Sequence, residues 1–173
     1  RFLIPHRCPV ELGPDVEVGA NSTLDASHPG QPRRGHATTR TRVGSGTRID
    51  NLVQVGHGCS LGTDNTLCAQ VGLAGGTSTE ASVLFGGKAS SAGHVHLREG
   101  TRIGAQTAVT RDTPPGTQLL GIPGMERRLW GRFVASRRHL PGLLRRVRAI
   151  EARLGLRPGE PRSGDPGRGR DAQ

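Results

Sequence analysis

The sequence predicts a mainly β chain: a parallel β-helix of hexapeptide repeats followed by two C-terminal α-helices. Three observations carry this. Every sixth residue from Val43 reads Val43, Ile49, Val55, Leu61, Leu67, Leu73, Thr79, Phe85, Ser91, Leu97, Ile103 and Val109, and ten of the twelve are apolar. Aromatic residues make up only 2% of the 173 residues and Tyr is absent, so large side chains cannot fill a core, while 27 glycines call for frequent tight corners. Beyond residue 126 the six-residue register gives way to the three-and-four spacing of amphipathic helices.

A period of six fits neither a helix of 3.6 residues per turn nor a strand alternating every two. It fits a coil with one short strand and one corner per hexad, three hexads making an 18-residue turn. The residue after each large aliphatic is often small, as at Gly44, Gly56, Gly62, Ala74, Gly86, Ala92 and Gly104. Four places along the hexad a second small or β-branched residue recurs: Thr47, Val53, Cys59, Val71, Thr77, Val83, Val95, Thr101 and Thr107. Stacked coils turn both positions into interior ladders.

In chain order, Val10 to Asp25 already has the repeat character. Residues 26–42 are polar, contain Pro and Gly, and should loop out as an insertion. The regular coil then runs from Val43 to the Pro114-Pro115-Gly116 turn, with polar Thr79 and Ser91 as local weak points in the ladder. A β-helix domain is thus expected over 1–125 and a helical segment over 126–155. Leu129, Trp130, Phe133, Val134 and Leu140 suit a helix from about Glu126 to His139, ended by Pro141. Leu143, Val147, Ile150 and Leu154 suit a second helix, Gly142 to Leu154, capped by Gly155. Its apolar seam suits packing against a partner subunit. Residues 156–173 should be a disordered tail.

The net charge of +10 is concentrated late in the chain. Between Arg127 and Arg170 thirteen Arg stand against Glu151, Glu160 and Asp165, which accounts for the whole excess. An acidic partner is expected to meet that segment. Nucleic acid is disfavoured, because the interleaved aromatics of single-strand binders are lacking. No run is long and apolar enough for a transmembrane segment. The chain opens on Arg1 and its only Met is Met125, so an upstream segment is expected. Cys8, Cys59 and Cys68 are odd in number and lack metal-ligand spacing; Cys59 and Cys68 fall where small buried residues belong, so free thiols and a cytoplasmic location are expected.

Function on such a scaffold must come from residues that break its pattern. His57 lies between Gly56 and Gly58, unshielded by neighbouring side chains, with Asn51 six residues earlier on the neighbouring corner. Gly75 follows His57 by eighteen residues, one coil on, where its N–H could meet an oxyanion formed beside the imidazole. His94 follows by thirty-seven, two coils and one residue. Base, amide donor and second His on one edge suit acyl transfer. His94 and His96 alternate as metal ligands can, but no carboxylate or Cys accompanies them in register and no metal is expected. His6, His28, His36 and His139 lie outside the regular repeat and read as incidental.

The stretches GTRIDNLVQVGHG (46–58), AQVGLAGGT (69–77), GGKASSAGH (86–94), IGAQTAVTRDTPPG (103–116) and GIPGMERRLW (121–130) resemble the UDP-3-O-acylglucosamine N-acyltransferase family of the lipid A pathway, over about residues 10–154. The resemblance implies a left-handed coil, and a homotrimer with active sites in clefts between subunits. It implies transfer of a 3-hydroxyacyl group from the phosphopantetheine arm of acyl carrier protein to the glucosamine 2-amine of a UDP-sugar, without another cofactor. His57 is similar to the family's general base, Gly75 to its oxyanion amide, and His94 and Asn51 to positions supporting substrate or transition state. Asp50 and Gln54, in the same motif, are further candidate substrate contacts. Arg137, Arg138, Arg145, Arg146 and Arg148 resemble the basic element that docks acyl carrier protein.

The chain departs from the family pattern in starting after the uridine-recognition domain and in placing ASHPGQPR between Asp25 and Arg34. It also has Gly58 where a polar residue commonly follows the base, and Lys88-Ala89-Ser90-Ser91 in place of a more apolar stretch. The alternative to an enzyme is a truncated or degenerate paralogue that trimerises and binds acyl carrier protein without turnover. A coenzyme A-dependent sugar acetyltransferase on the same scaffold is the third reading.

Overall fold

The computed structural model describes residues 8–28 and 40–155; most of the expected insertion and the expected tail lie outside them. The chain divides into two compact units, Arg1–Trp130 and Gly131–Gln173.

The first unit is a three-sided parallel solenoid whose sides are two- and three-residue strands. The first coil holds β1 (Val10–Leu12), β2 (Glu17–Val18) and β3 (Thr23–Leu24), and the second β4 (Thr41–Val43), β5 (Arg48–Ile49) and β6 (Gln54–Val55). The third holds β7 (Ser60–Leu61), β8 (Thr66–Leu67) and β9 (Gly72–Leu73), and the fourth β10 (Ser78–Thr79), β11 (Leu84–Phe85) and β12 (Ser90–Ser91). The fifth holds β13 (His96–Leu97), β14 (Arg102–Ile103) and β15 (Ala108–Val109), followed by β16 (Gln118–Leu120) and β17 (Met125–Glu126). They stack as β1-β4-β7-β10-β13, β2-β5-β8-β11-β14-β16-β17 and β3-β6-β9-β12-β15. All pairs are parallel except β16 with β17, which closes the stack as an antiparallel edge.

The eighteen-residue coil is explicit in the register, where Ser78 pairs with Ser60 on one side and His96 on the other. Between the first two coils the offset is thirty-one, since Val10 pairs with Thr41, and the surplus is the insertion. The insertion ends sooner than the sequence suggests: Thr41 and Arg42 already belong to β4. Thr41 is drawn in because its hydroxyl caps the Asp25 carbonyl at 2.6 Å.

Both predicted ladders are interior. Val43, Ile49, Val55, Leu61, Leu67, Leu73, Phe85, Leu97, Ile103 and Val109 are buried, as are Val53, Cys59, Val71, Val83 and Val95 on the second ladder. Each fully buried aliphatic is worth about 2 kcal/mol in transfer terms, which is how short strands hold a fold with almost no aromatics. The expected weak points are not weak. The Asn65 Nδ2 donates to the Thr79 hydroxyl at 2.8 Å and to the Gly62 carbonyl at 3.0 Å, while its Oδ1 accepts the Val83 N–H at 2.7 Å. Ser91 shares a 2.8 Å hydrogen bond with Thr77, whose hydroxyl also donates to the Ala74 carbonyl. These polar ladder residues are buried with partners, so they exchange apolar packing for satisfied bonds. Cys68 corrects the other way. It follows Leu67 on the outer side of its strand and is half-exposed, whereas Cys59 is wholly buried.

Two helices follow, α1 (Arg127–Arg137) and α2 (Leu140–Arg153). Pro141 does not terminate the first helix but sits in the first turn of the second, where its missing N–H has no intrahelical partner to lose and its fixed φ suits the helix. Gly155, with φ of +67°, follows the α2 C-terminus as expected. Leu143, Leu144, Val147, Ile150 and Leu154 are exposed along α2, and no residue of either helix is buried.

Candidate functional site

After β6 the chain turns through His57 and Gly58 before entering β7. The turn is tied to the coils on both sides. The Gly58 N–H donates to the Thr41 hydroxyl at 3.0 Å, and the His57 carbonyl accepts the Gly76 N–H at 2.9 Å. The Gly75 carbonyl in turn accepts the His94 N–H at 3.1 Å, so the corners carrying His57, Gly75 and His94 are consecutive rungs of one edge.

The glycines on this edge leave room for the imidazoles. A Cβ on Gly75 would stand 2.6 Å from His57 Nε2 and 2.7 Å from Cε1, and one on Gly76 would stand 2.3 Å from His94 Nδ1. The His57 ring therefore lies on the bare Cα of Gly75 with Nε2 as its nearest atom, and the His94 ring lies on Gly76. Among the described residues no acceptor takes the Gly75 N–H. His94 has a φ of +60°, as do Asp64, Gln70, Ser82 and others at the same corner position within a few degrees, so this conformation is architecture and not a mark of the site. Beneath the corner the Cys59 thiol points at the Ala74 carbonyl, 3.4 Å away, and burial pushes its pKa up to about 11. It stays a protonated core residue.

Asp50, Asn51 and Gln54 are placed differently. Asp50 and Asn51 form the corner before β6 and His57 the corner after it, so within one chain they occupy neighbouring edges. The Asn51 Oδ1 accepts the Ala20 N–H at 2.7 Å, and Asp50 Oδ1 accepts the Asn51 N–H at 2.8 Å. Gln54 projects outward from β6, and its Oε1 accepts the Thr23 hydroxyl. Asp50 lines an open cleft of about 420 Å³ with Glu17, Arg48, Thr66 and Cys68.

His96 has company that sequence spacing hid. Its Nδ1 lies 2.8 Å from the Ser78 hydroxyl and its Nε2 3.3 Å from Glu80 Oε1, with Arg98 reaching the same carboxylate oxygen at 3.4 Å. A carboxylate thus does accompany His96, one coil back, from Glu80 immediately after β10. The Glu99 N–H on Glu80 Oε2, with His96 and Arg98 alongside, holds the Glu80 carboxyl below its usual range. Among the described residues no three potential metal ligands assemble.

His28, read from the sequence as incidental, lies beside His57. Its ring centroid is 5.8 Å from that of His57, the planes inclined at 47°. Thr23 and Leu24 pair with Gln54 and Val55 at an offset of thirty-one, which brings the end of this segment towards the His57 turn. Read as insertion, these residues lose that register.

The candidate carrier-docking residues belong to the helices. Arg137 ends α1, Arg138 follows with its Nε 3.3 Å from His139 Nε2, and Arg145, Arg146 and Arg148 are exposed on α2. Among the described residues no helix is long and apolar enough to cross a membrane.

No family model matches the chain. It is 40% identical over 137 residues to a UDP-3-O-acylglucosamine N-acyltransferase of Helicobacter hepaticus, which covers 79% of the chain and 39% of that protein. A protein of the same name from Thermosynechococcus vestitus is 38% identical over 154 residues, 89% of the chain and 43% of the relative. The chain thus spans about two fifths of the length of the curated relatives it matches. In fold it is similar to UDP-N-acetylglucosamine acyltransferase from Campylobacter jejuni, with a TM-score of 0.63 at 22% identity over 83% of the chain and 55% of that structure. LpxA from Acinetobacter baumannii superposes with a TM-score of 0.62 at 19% identity, covering 69% of the chain and 44% of its own. The parallel β-solenoid of hexapeptide repeats is therefore shared with acyltransferases.

Proposed function

We propose that this homologue of the UDP-3-O-acylglucosamine N-acyltransferases carries the acyl-transfer site of a lipid A pathway enzyme at the His57 corner, with His57 as general base. The observation that carries the reading is the apposition of His57 Nε2 to Gly75. An imidazole nitrogen and a backbone N–H that no acceptor takes among the described residues lie on one edge, one coil apart, where a thioester carbonyl can approach both.

The reaction follows from these groups. The 2-amine of a UDP-3-O-acylglucosamine attacks the thioester carbonyl of a 3-hydroxyacyl chain held on acyl carrier protein, while His57 Nε2 takes the amine proton. The carbonyl becomes a tetrahedral oxyanion, which the Gly75 N–H stabilises. Collapse re-forms the carbonyl as an amide and breaks the carbon–sulfur bond, and the imidazolium returns its proton to the phosphopantetheine sulfur. His94, one rung further along the edge, supports substrate or transition state. No cofactor beyond the carrier's own arm is needed.

Asp50, Asn51 and Gln54 join this site if it lies in a cleft between copies of a homotrimer, because the neighbouring edge of a second copy can then face His57. Arg137, Arg138, Arg145, Arg146 and Arg148 supply the positive surface that an acidic carrier protein requires.

The test is transfer of a 3-hydroxyacyl group from acyl carrier protein to UDP-3-O-acylglucosamine by the chain and by His57→Ala. Turnover lost in the variant, by roughly a thousandfold, is expected. Equal turnover in both sinks the assignment of His57. No turnover in either, with carrier binding retained, favours a non-catalytic binding protein.

A further inference from the structure

The outer face of β7, β10 and β13 carries a second constellation, built from residues that depart from the repeat. The three strands stack in register, Ser60 opposite Ser78 and Ser78 opposite His96, and on each strand the next residue turns into the core. After that inward residue the two earlier coils have glycine, Gly44 and Gly62, whereas the next two have Glu80 and Arg98. Charged side chains therefore stand where the repeat ordinarily places none.

These groups form a chain of hydrogen bonds. The Ser78 hydroxyl lies 2.8 Å from His96 Nδ1, and His96 Nε2 lies 3.3 Å from Glu80 Oε1. Glu80 is itself held, by the Glu99 N–H on Oε2 at 2.9 Å and by Arg98 on Oε1 at 3.4 Å. The strand beneath the ring is pinned as well: the His96 N–H donates to Asp112 Oδ1 at 2.8 Å, and the His96 carbonyl accepts the Thr113 N–H at 3.0 Å. A carboxylate can only accept, so the imidazole proton sits on Nε2; Nδ1 is then the basic nitrogen and accepts the Ser78 O–H. Hydroxyl, base and orienting carboxylate in this order are the arrangement that activates a serine. The His96 and Glu80 side chains are 33% and 36% exposed, so a reactant can reach the group while much of it is shielded from water.

From this we infer that Ser78, His96 and Glu80 form a second nucleophilic centre, one that takes acyl groups from activated carboxylic esters and thioesters. Ser78 Oγ attacks the carbonyl carbon as its proton passes to His96 Nδ1, and Glu80 steadies the imidazolium. Arg98 has further guanidinium donors for the oxyanion. Collapse re-forms the carbonyl and breaks its bond to the leaving oxygen or sulfur, which takes the proton from Nδ1 and leaves the acyl group on Ser78. Water then gives a proton to Nδ1 and attacks the acyl-serine, freeing the acid and the serine. The centre uses none of the residues assigned to transfer at His57 and does not rest on that reading.

The test uses the whole chain with a fluorophosphonate probe and with p-nitrophenyl butyrate. The probe should phosphonylate Ser78 with loss of fluoride, the adduct located by peptide mass spectrometry, and p-nitrophenol should be released from the ester. Both reactions should vanish in Ser78→Ala. They should slow roughly a hundredfold in His96→Gln and about tenfold in Glu80→Gln, while His57→Ala matches the wild type. An unlabelled Ser78 in the folded wild-type chain overturns the inference without recourse to any variant. Equal labelling in His96→Gln also overturns it, since Ser78 is then an ordinary exposed hydroxyl. So does loss of both reactions in His57→Ala, which moves the reactivity to the acyl-transfer corner.

Discussion

His57 Nε2 lies 2.6 Å from where a Gly75 side chain would begin, so the second residue is glycine for the sake of the first. Gly75→Ala should displace the imidazole and lower acyl transfer by roughly a hundredfold, while the fold survives, because Gly75 is half-exposed and has no left-handed φ. Circular dichroism and turnover on the same sample check this. Undiminished turnover would show that the apposition has no part in the chemistry.

Asn65 should be the most sensitive polar residue of the core. Asn65→Leu strands the Val83 N–H and removes a donor from Thr79 and from the Gly62 carbonyl, all inside the solenoid. A loss of about 2–4 kcal/mol in urea unfolding is expected. A loss under about 0.5 kcal/mol would mean that the network relaxes without cost.

Cys59 gives a prediction with a defined pH window. Its thiol ionises at about 11 in the fold against an ordinary 9.0, because burial disfavours the thiolate. The stabilisation from the neutral thiol is complete below pH 9 and is lost as pH rises through about 11. Compared with Cys59→Ala, the wild type should lose on the order of 2–3 kcal/mol of relative stability between pH 8 and 11.5. A constant difference across that range would place the thiol in contact with water.

Changing Arg145, Arg146 and Arg148 together to Gln should weaken binding of acyl carrier protein and flatten its dependence on salt, since opposite charges steer the encounter and salt screens them. Binding measured at two ionic strengths reads both effects. Affinity and salt slope equal to wild type would make this face plain solvated surface.

Much of the solenoid could be read from the chain. The six-residue register named every large aliphatic of the ladder from Val43 to Val109, because a stacked coil allows each hexad one inward aliphatic and any slip would expose it. The same arithmetic put Gly75 and His94 on the edge of His57. It failed where a partner comes from outside the period: His28 lies twenty-nine residues before His57, and Glu80, just after β10, reaches His96 across coils from sixteen residues away. It also mistook Thr79 and Ser91 for weak points, since hexad counting records polarity but not whether a hydroxyl finds an acceptor.

What the sequence determined by itself is the coil and the placement of its corners, because a strict repeat of inward aliphatics and small corner residues leaves one way to bury the chain. What only the tertiary structure decided is what each corner meets. Whether His57 meets bare backbone at Gly75, whether the His28 ring comes near it, and whether Asn51 offers its oxygen outward or gives it to Ala20 depend on the rung above and below. Those rungs lie eighteen or thirty-one residues away in the chain, and side-chain distances of a few ångströms are set there by stacking and not by sequence neighbours.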